Sequence, residues 1–216
     1  MQFVDRSDAG HKLAQALRPF GHDAVVYALP RGGVILGAEV ARDLGAPMDL
    51  ILVRKIGHPS DPEYAIGAVA DDDEPILDPD SSGTVNDSWL RTAVGRAHAE
   101  NARRRRMYFP PGYLSPVIEG RTAILVDDGI ATGFTMQAAI HAIREHDPER
   151  VVVAVPVAPA GAIVRLLEVA DDVVVLDRPR EYLGSVGRHY LYFPEITDQE
   201  VIAALSEASQ QSVGQG

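Results

Sequence analysis

Residues 151–157 read Val-Val-Val-Ala-Val-Pro-Val, a run without a single polar side chain. An extended segment turns successive side chains to opposite faces, so a run like this must be covered on both. Strands buried on both faces belong to parallel sheets with helices packed above and below. Shorter apolar runs at 24–29, 50–53, 123–126 and 173–176 read as further strands of the same kind. Between them, 5–17, 33–44, 135–146 and 160–169 carry apolar residues at helical spacing. The alternation predicts an α/β architecture with a mostly parallel central sheet.

Other segments are punctuated differently. Residues 56–62 contain glycine, two prolines, serine and aspartate, and read as a loop. Residues 64–70 and 75–77 fit an antiparallel pair. Residues 89–107 read as a long helix, with Asn86, Asp87 and Ser88 as candidate caps and Trp89, Leu90, Ala93, Val94 and Ala97 on one face. Residues 108–116 form a connector, and 190–193 a short edge strand. Residues 197–205 form a terminal helix, opened by a capping box of Thr197 and Glu200. The polar tail from 206 is expected to fray.

The net charge of -11 lacks the basic stripe that a nucleic-acid surface needs. No apolar run approaches the ~18 residues that would span a membrane. The first residues, Met1-Gln2-Phe3-Val4-Asp5, do not have the pattern of a signal peptide. Without cysteine there is no thiolate metal site or disulfide. A cytoplasmic protein is expected. Two charge clusters stand out. Asp71, Asp72, Asp73 and Glu74, with Asp78 and Asp80 nearby, read as a solvated hairpin or loop, with a divalent-cation site as the alternative. Arg103 to Arg106 end the long helix, where cations suit its dipole and Glu100 is in pairing range. They form either a solvated face or an anion-binding or subunit surface.

The richest chemistry follows the run 123–126. Two acids, Asp127 and Asp128, stand where a buried strand ends, the edge at which open α/β sheets bind ligands. The next stretch, Gly129-Ile130-Ala131-Thr132-Gly133-Phe134-Thr135, is mostly small or hydroxylated and leads into a helix. Such a loop can turn its backbone N–H groups toward one anion, helped by the helix N-terminus and by the hydroxyls of Thr132 and Thr135. The two carboxylates repel a phosphate but suit vicinal hydroxyls or a metal ion. A phosphate site beside a diol site describes a ribose 5-phosphate. A bare Asp-Asp-Gly turn capping a helix is the competing reading. Neither GxxxxGK[ST] nor GxGxxG occurs, which argues against a P-loop nucleotidase or a dinucleotide-binding domain.

Residues 124–136 resemble the phosphoribosyl-pyrophosphate (PRPP) motif of type I phosphoribosyltransferases, and the order of strands and helices matches that family over nearly the whole chain. The resemblance implies a three-layer α/β fold with a small hood. A single domain, 1–216, would have its core at about 20–178. The hood would comprise 179–207, joined by the N-terminal helix, and 208–216 would be a disordered tail. It also implies transfer of the 5-phosphoribosyl group from PRPP to a nitrogen acceptor such as a nucleobase, releasing pyrophosphate, with Mg²⁺ as cofactor. Asp127 and Asp128 would hold the ribose hydroxyls or the metal, directly or through water. Gly129, Ala131, Thr132, Gly133, Phe134 and Thr135 would hold the 5-phosphate. Ala28-Leu29-Pro30-Arg31-Gly32-Gly33 looks like the family's pyrophosphate loop, in which the matching bond, Pro30–Arg31, is often cis. Arg31, Gly32 and Gly33 would meet the pyrophosphate, as would Arg54 and Lys55, with 56–64 closing over the site. Glu63 is a further candidate for a metal-water or base contact.

On the acceptor side, residues 176–183 resemble the stretch that carries the base-stacking aromatic, here Tyr182. Packing in the hood is the alternative role for that ring. Ala131 stands where the hypoxanthine-guanine and xanthine branches carry an acid, which argues against a 6-oxopurine acceptor. No general base is evident. A non-enzymatic PRPP- or nucleotide-binding regulator on the same fold is the alternative function, and a homo-oligomer built on the long helix is a further expectation.

Overall fold

A computed structural model describes residues 2–78, 83–179 and 182–213. Asp80, together with Arg180 and Glu181 of the acceptor-side stretch, lies outside them, as does the side chain of Glu63. The strands are β1 (Ala24–Ala28), β2 (Met48–Leu50), β3 (Val53–His58), β4 (Asp61–Ala70), β5 (Ile76–Leu77), β6 (Thr122–Val126), β7 (Arg150–Val157) and β8 (Asp172–Asp177). The helices are α1 (Arg6–Leu17), α2 (Gly32–Leu44), α3 (Asp87–Tyr108), α4 (Phe134–Arg144), α5 (Ala160–Leu167) and α6 (Asp198–Val213).

Five strands form a sheet in the order β2-β1-β6-β7-β8, every pair parallel. Its two faces bury alternate residues of the same strands. Val26, Ala28, Ile124 and Val126 pack with α1, α2 and α6 on one side. Val25, Tyr27, Ala123, Leu125 and Val153 pack with α4 and α5 on the other. This is the double covering that the apolar run 151–157 requires, and it makes the fold a three-layer α/β structure.

The crossover through α2 runs outward from β1 to β2 over one face, and the crossover through α4 runs outward from β6 to β7 over the other. Between β1 and β6 the order therefore reverses. Such a switch point leaves a crevice at the carboxyl ends of the two strands.

The sequence-based boundaries needed several changes. The expected strand 50–53 is split: β2 ends at Leu50, and the chain turns out of the main sheet to start β3 at Val53. The expected loop 56–62 is a β3–β4 hairpin, which with β5 forms a separate antiparallel sheet. Glycine and proline act there as breaks in register, at Ile56/Gly57 and Gly57/His58, and not as an end to pairing. The expected pair of 64–70 with 75–77 is present, with Gly67 opposite Leu77. Residues 190–193 form no strand; Tyr190 makes only a single bridge, to Phe3. The capping box stands, with the Glu200 amide donating to Thr197 Oγ1 at 3.2 Å and the Thr197 amide to Glu200 Oε2 at 2.8 Å. The helix it opens runs to Val213, well beyond Leu205.

Candidate functional site

Both helices at the crevice begin without a side-chain cap, at Arg31 for α2 and at Gly133 for α4. At α4 this leaves the first N–H groups without an intrahelical partner, whereas at α2 the Gly33 amide donates to Leu29 O at 3.1 Å and the Val34 amide to Arg31 O at 3.2 Å. Gly133 has φ 89°, a left-handed conformation in which a side chain would be strained. The Arg165 guanidinium of α5 donates to Thr132 O at 2.8 Å and braces the 129–135 loop from behind. Ala131 and Thr132 are exposed, Phe134 and Thr135 half-buried. Among the described residues, neither threonine hydroxyl has a hydrogen-bond partner, so both remain available to an anion.

On the other wall, the Pro30–Arg31 peptide bond is cis, at the position the family resemblance indicated. The Leu29 amide donates to Val126 O at 2.9 Å and ties this loop to the end of β6. The approach is close. A Cβ on Gly32 would overlap the Asp128 carboxylate, and one on Gly33 would lie 2.7 Å from Val126 O. The Gly33 obstacle is backbone and cannot swing away. Gly33→Ala is expected to lower unfolding stability by about 1–3 kcal/mol, the usual cost of overpacking. Urea denaturation of the variant checks it.

Asp127 and Asp128 form the floor. The Asp128 amide donates to Asp127 Oδ1 at 2.8 Å. Burial, and then the neighbouring Asp128 charge, push the Asp127 carboxyl well above the usual carboxylate range, against the pull of Arg6 and Lys55. Burial also pushes Asp128 up, and Arg6 opposes it. The Arg6 guanidinium meets Asp128 Oδ2 through Nε at 2.9 Å and Nη2 at 2.8 Å. Its Nη1 donates to Pro194 O at 2.6 Å, and its plane lies 3.6 Å from the centre of the Phe193 ring. The residue is 7 % exposed. Tyr190 Oη donates to Asp128 O at 2.6 Å. The N-terminal turn and the segment 189–194 together hold Asp128 in place.

Sequence reasoning missed Arg6 entirely. The one available signal was a cation in the first turn of a helix, against the dipole, at a position where acids are favoured.

The remaining cations differ in direction. Arg31 borders the crevice and pairs with Glu195. Lys55 lies near enough to Asp127 to favour its charge. Arg54, its neighbour on β3, is 3.7 Å from Glu100 of α3. Successive strand residues face opposite ways, so the two basic residues cannot both serve the crevice without a change at β3. After β8, the rings of Tyr182 and His189 stack with centroids 5.4 Å apart. Tyr182 Oη and His189 Nε2 are buried without a hydrogen-bond partner among the described residues. His189 Nδ1 is 4.0 Å from Asp177 Oδ2.

Comparison with known proteins agrees with this geometry. The model of the phosphoribosyl transferase domain family matches residues 6–182. Two Mycobacterium tuberculosis proteins, from strains CDC 1551 and H37Rv, carry a provisional phosphoribosyl transferase name. Each is 42 % identical to this chain over 208 residues, covering 95 % of it. The chain spans about half the length of these curated relatives, 47 %. The crystal structure of TT1426 from Thermus thermophilus superimposes with a TM-score of 0.82 at 43 % identity, covering 96 % of this chain and 99 % of that one. The AQ2163 protein of Aquifex aeolicus shares the fold at 13 % identity, with a TM-score of 0.51, covering 83 % of this chain and 78 % of that one. The chain belongs to the phosphoribosyl transferase domain family. Among the described residues, no helix is long and apolar enough to cross a membrane.

Proposed function

We propose that the chain transfers the 5-phosphoribosyl group of PRPP to a nitrogen acceptor, a nucleobase or a related heterocycle, and releases pyrophosphate. One observation carries this reading. Two adjacent carboxylates end β6 at the β1/β6 switch point, and the loop that follows them leads into a helix with no side-chain cap, the combination of groups that a sugar phosphate calls for.

In this reading the N–H groups of 131–135 and the hydroxyls of Thr132 and Thr135 hold the 5-phosphate. Hydrogen bonds to a charged group contribute about 1.5–3 kcal/mol each. Asp127 and Asp128 accept from the ribose hydroxyls. Lys55 and the Gly32 amide face the pyrophosphate, Gly33, whose amide is bonded to Leu29 O, lets the backbone approach it, and Arg31 and Arg54 join on leaving Glu195 and Glu100. As the C1–O bond breaks, its electron pair goes to the pyrophosphate, so charge develops beside these cations and amides, where preorganised donors act most strongly.

The donor set suits Mg²⁺, which is commonly held by one or two carboxylates together with substrate phosphates and water. Asp127 and Asp128 would hold it, and when bound it would neutralise the developing pyrophosphate charge. Among the described residues, no group of three or more acidic or histidine side chains could hold a metal alone.

The acceptor assignment is supported by Tyr182, a half-buried ring backed by the stacked His189 imidazole, which suits contact with a flat heterocycle. Ala131 supplies no acid toward the base, which favours acceptors other than 6-oxopurines. The test is to incubate the protein with PRPP, Mg²⁺ and a panel of purines, pyrimidines and smaller nitrogen heterocycles, following pyrophosphate release. Turnover with one acceptor class is expected. PRPP binding without turnover on any acceptor would favour a regulatory protein instead.

A further inference from the structure

The acidic run at 71–73 and the arginine run at 103–106 take no part in the crevice. They meet elsewhere, at a cavity of about 650 Å³. It lies under the β1–β2 edge, between the turn after β4 and the connector 115–119, and reaches the C-terminal end of α4 at residues 142–147. The phosphate loop is at the opposite end of that helix, roughly 16 Å away at 1.5 Å per residue. The expected hairpin turn is present and Asp72 is exposed, but Asp71 is half-buried and its side chain faces Arg105 across this cavity.

The lining is strongly unbalanced in charge. Asp49, Asp71, Asp72, Asp73, Glu119 and Asp147 border it, against Arg105 and His146. Asp49 Oδ1 accepts from the Leu50 amide at 2.7 Å, and Arg105 pairs only loosely with the two deep carboxylates. Its guanidinium is 3.6 Å from Asp49 and 3.7 Å from Asp71, beyond hydrogen-bond length, and its short bond goes to Ser115 Oγ at 2.6 Å. Asp49 is only 1 % exposed. Burial pushes the Asp71 carboxyl up to about 7; Arg105 opposes this, while Asp49, Asp73 and Asp72 add to it.

A second, independent feature points to an occupant. Tyr27 is 6 % exposed and lines the cavity, yet its hydroxyl has no hydrogen-bond partner among the described residues. The ring is buried and the hydroxyl opens onto the cavity, where an occupant can supply the partner that the protein does not.

We propose that this cavity is a second ligand site, separate from the crevice, for a small organic cation with two or more amino groups joined by methylenes. The carboxylates would pair with the ammonium groups, Tyr27 Oη would accept from one of them, and Ile51, Ile118 and Ile143 would cover the methylenes. A bare metal ion fits poorly, because the Arg105 guanidinium lies between Asp49 and Asp71 and no described group of three acidic or histidine side chains converges on a point.

The proposal is tested by calorimetric titration of the intact chain with spermidine, putrescine and, separately, Mg²⁺, at 150 mM salt (roughly physiological). Saturable spermidine binding, one per chain, is expected. Asp71→Asn should weaken it about tenfold or more and Tyr27→Phe about threefold, while saturating PRPP leaves it unchanged. Tyr27→Phe keeps the ring and removes only the hydroxyl, so it decides the matter if Asp71→Asn fails to fold. Absence of saturable amine binding, equal affinity in both variants, displacement by equimolar Mg²⁺ or competition by PRPP would each overturn the proposal.

Discussion

Asp127→Asn is expected to lower PRPP-dependent turnover by about 10²–10³-fold while leaving the protein as stable as before, or more so. The loss follows from removing a charge that would act where positive charge develops at the sugar, in a site shielded from water. The stability follows from the environment. Burial and the Asp128 charge hold the Asp127 carboxyl far above its ordinary range, so its ionised form is a burden to the fold. The amide is neutral and nearly the same shape, and it can still accept from the Asp128 N–H now bonded to Oδ1 at 2.8 Å. Comparing kcat/KM with the urea midpoint separates the two effects. A large loss of stability would mean that the carboxylate serves the fold rather than a ligand.

Arg6→Ala should have the opposite profile, destabilising the protein by about 3–5 kcal/mol at pH 7, because it leaves the Asp128 carboxylate buried and unpaired. The substitution also removes the bond to Pro194 O and the contact with the Phe193 ring, so the N-terminal turn would loosen from 189–194. The sign with pH is definite. Asp128 already has a raised folded-state value, and without Arg6 it rises further. A carboxyl raised in the folded state favours folding below its unfolded value of about 3.9, and that contribution is lost as pH rises through the folded value. The deficit of the variant should therefore be small near pH 4 and full at pH 7. Asp128→Asn on top of Arg6→Ala should cost less than the sum of the two single changes, because the unpaired charge is then gone. Denaturant midpoints from pH 4 to 8 check both statements.

Much of this was written in the sequence because it is local. An apolar run such as 151–157 admits few environments, and a strand ending in Asp127-Asp128 before a small-residue loop can be read without knowing its neighbours. The capping box at Thr197 and the Asn86 cap, which accepts from the amides of Ser88 and Trp89, are local in the same way. What escaped depends on distant pairing. The 56–62 segment looked like a loop because glycine and proline dominate it, yet 64–70 captures it across the hairpin. Arg6 reaches Asp128 across 122 positions of sequence, and nothing near it announces that. Arg105 and Asp71 each belong to a charge run that reads as solvated, and only the packing of α3 against β3 and β4 brings them to one cavity. His189 has its meaning through Tyr182 and Asp177, which the path of the chain after β8 brings beside it.

The central claim, that the β1/β6 crevice is a PRPP site, is tested most directly by titrating PRPP with Mg²⁺ into the protein in a calorimeter. The account predicts saturable binding of one PRPP per chain, competed by ribose 5-phosphate and weakened at least tenfold by Asp127→Asn. An absence of binding heat, or an affinity unchanged by ribose 5-phosphate and by Asp127→Asn, would contradict it.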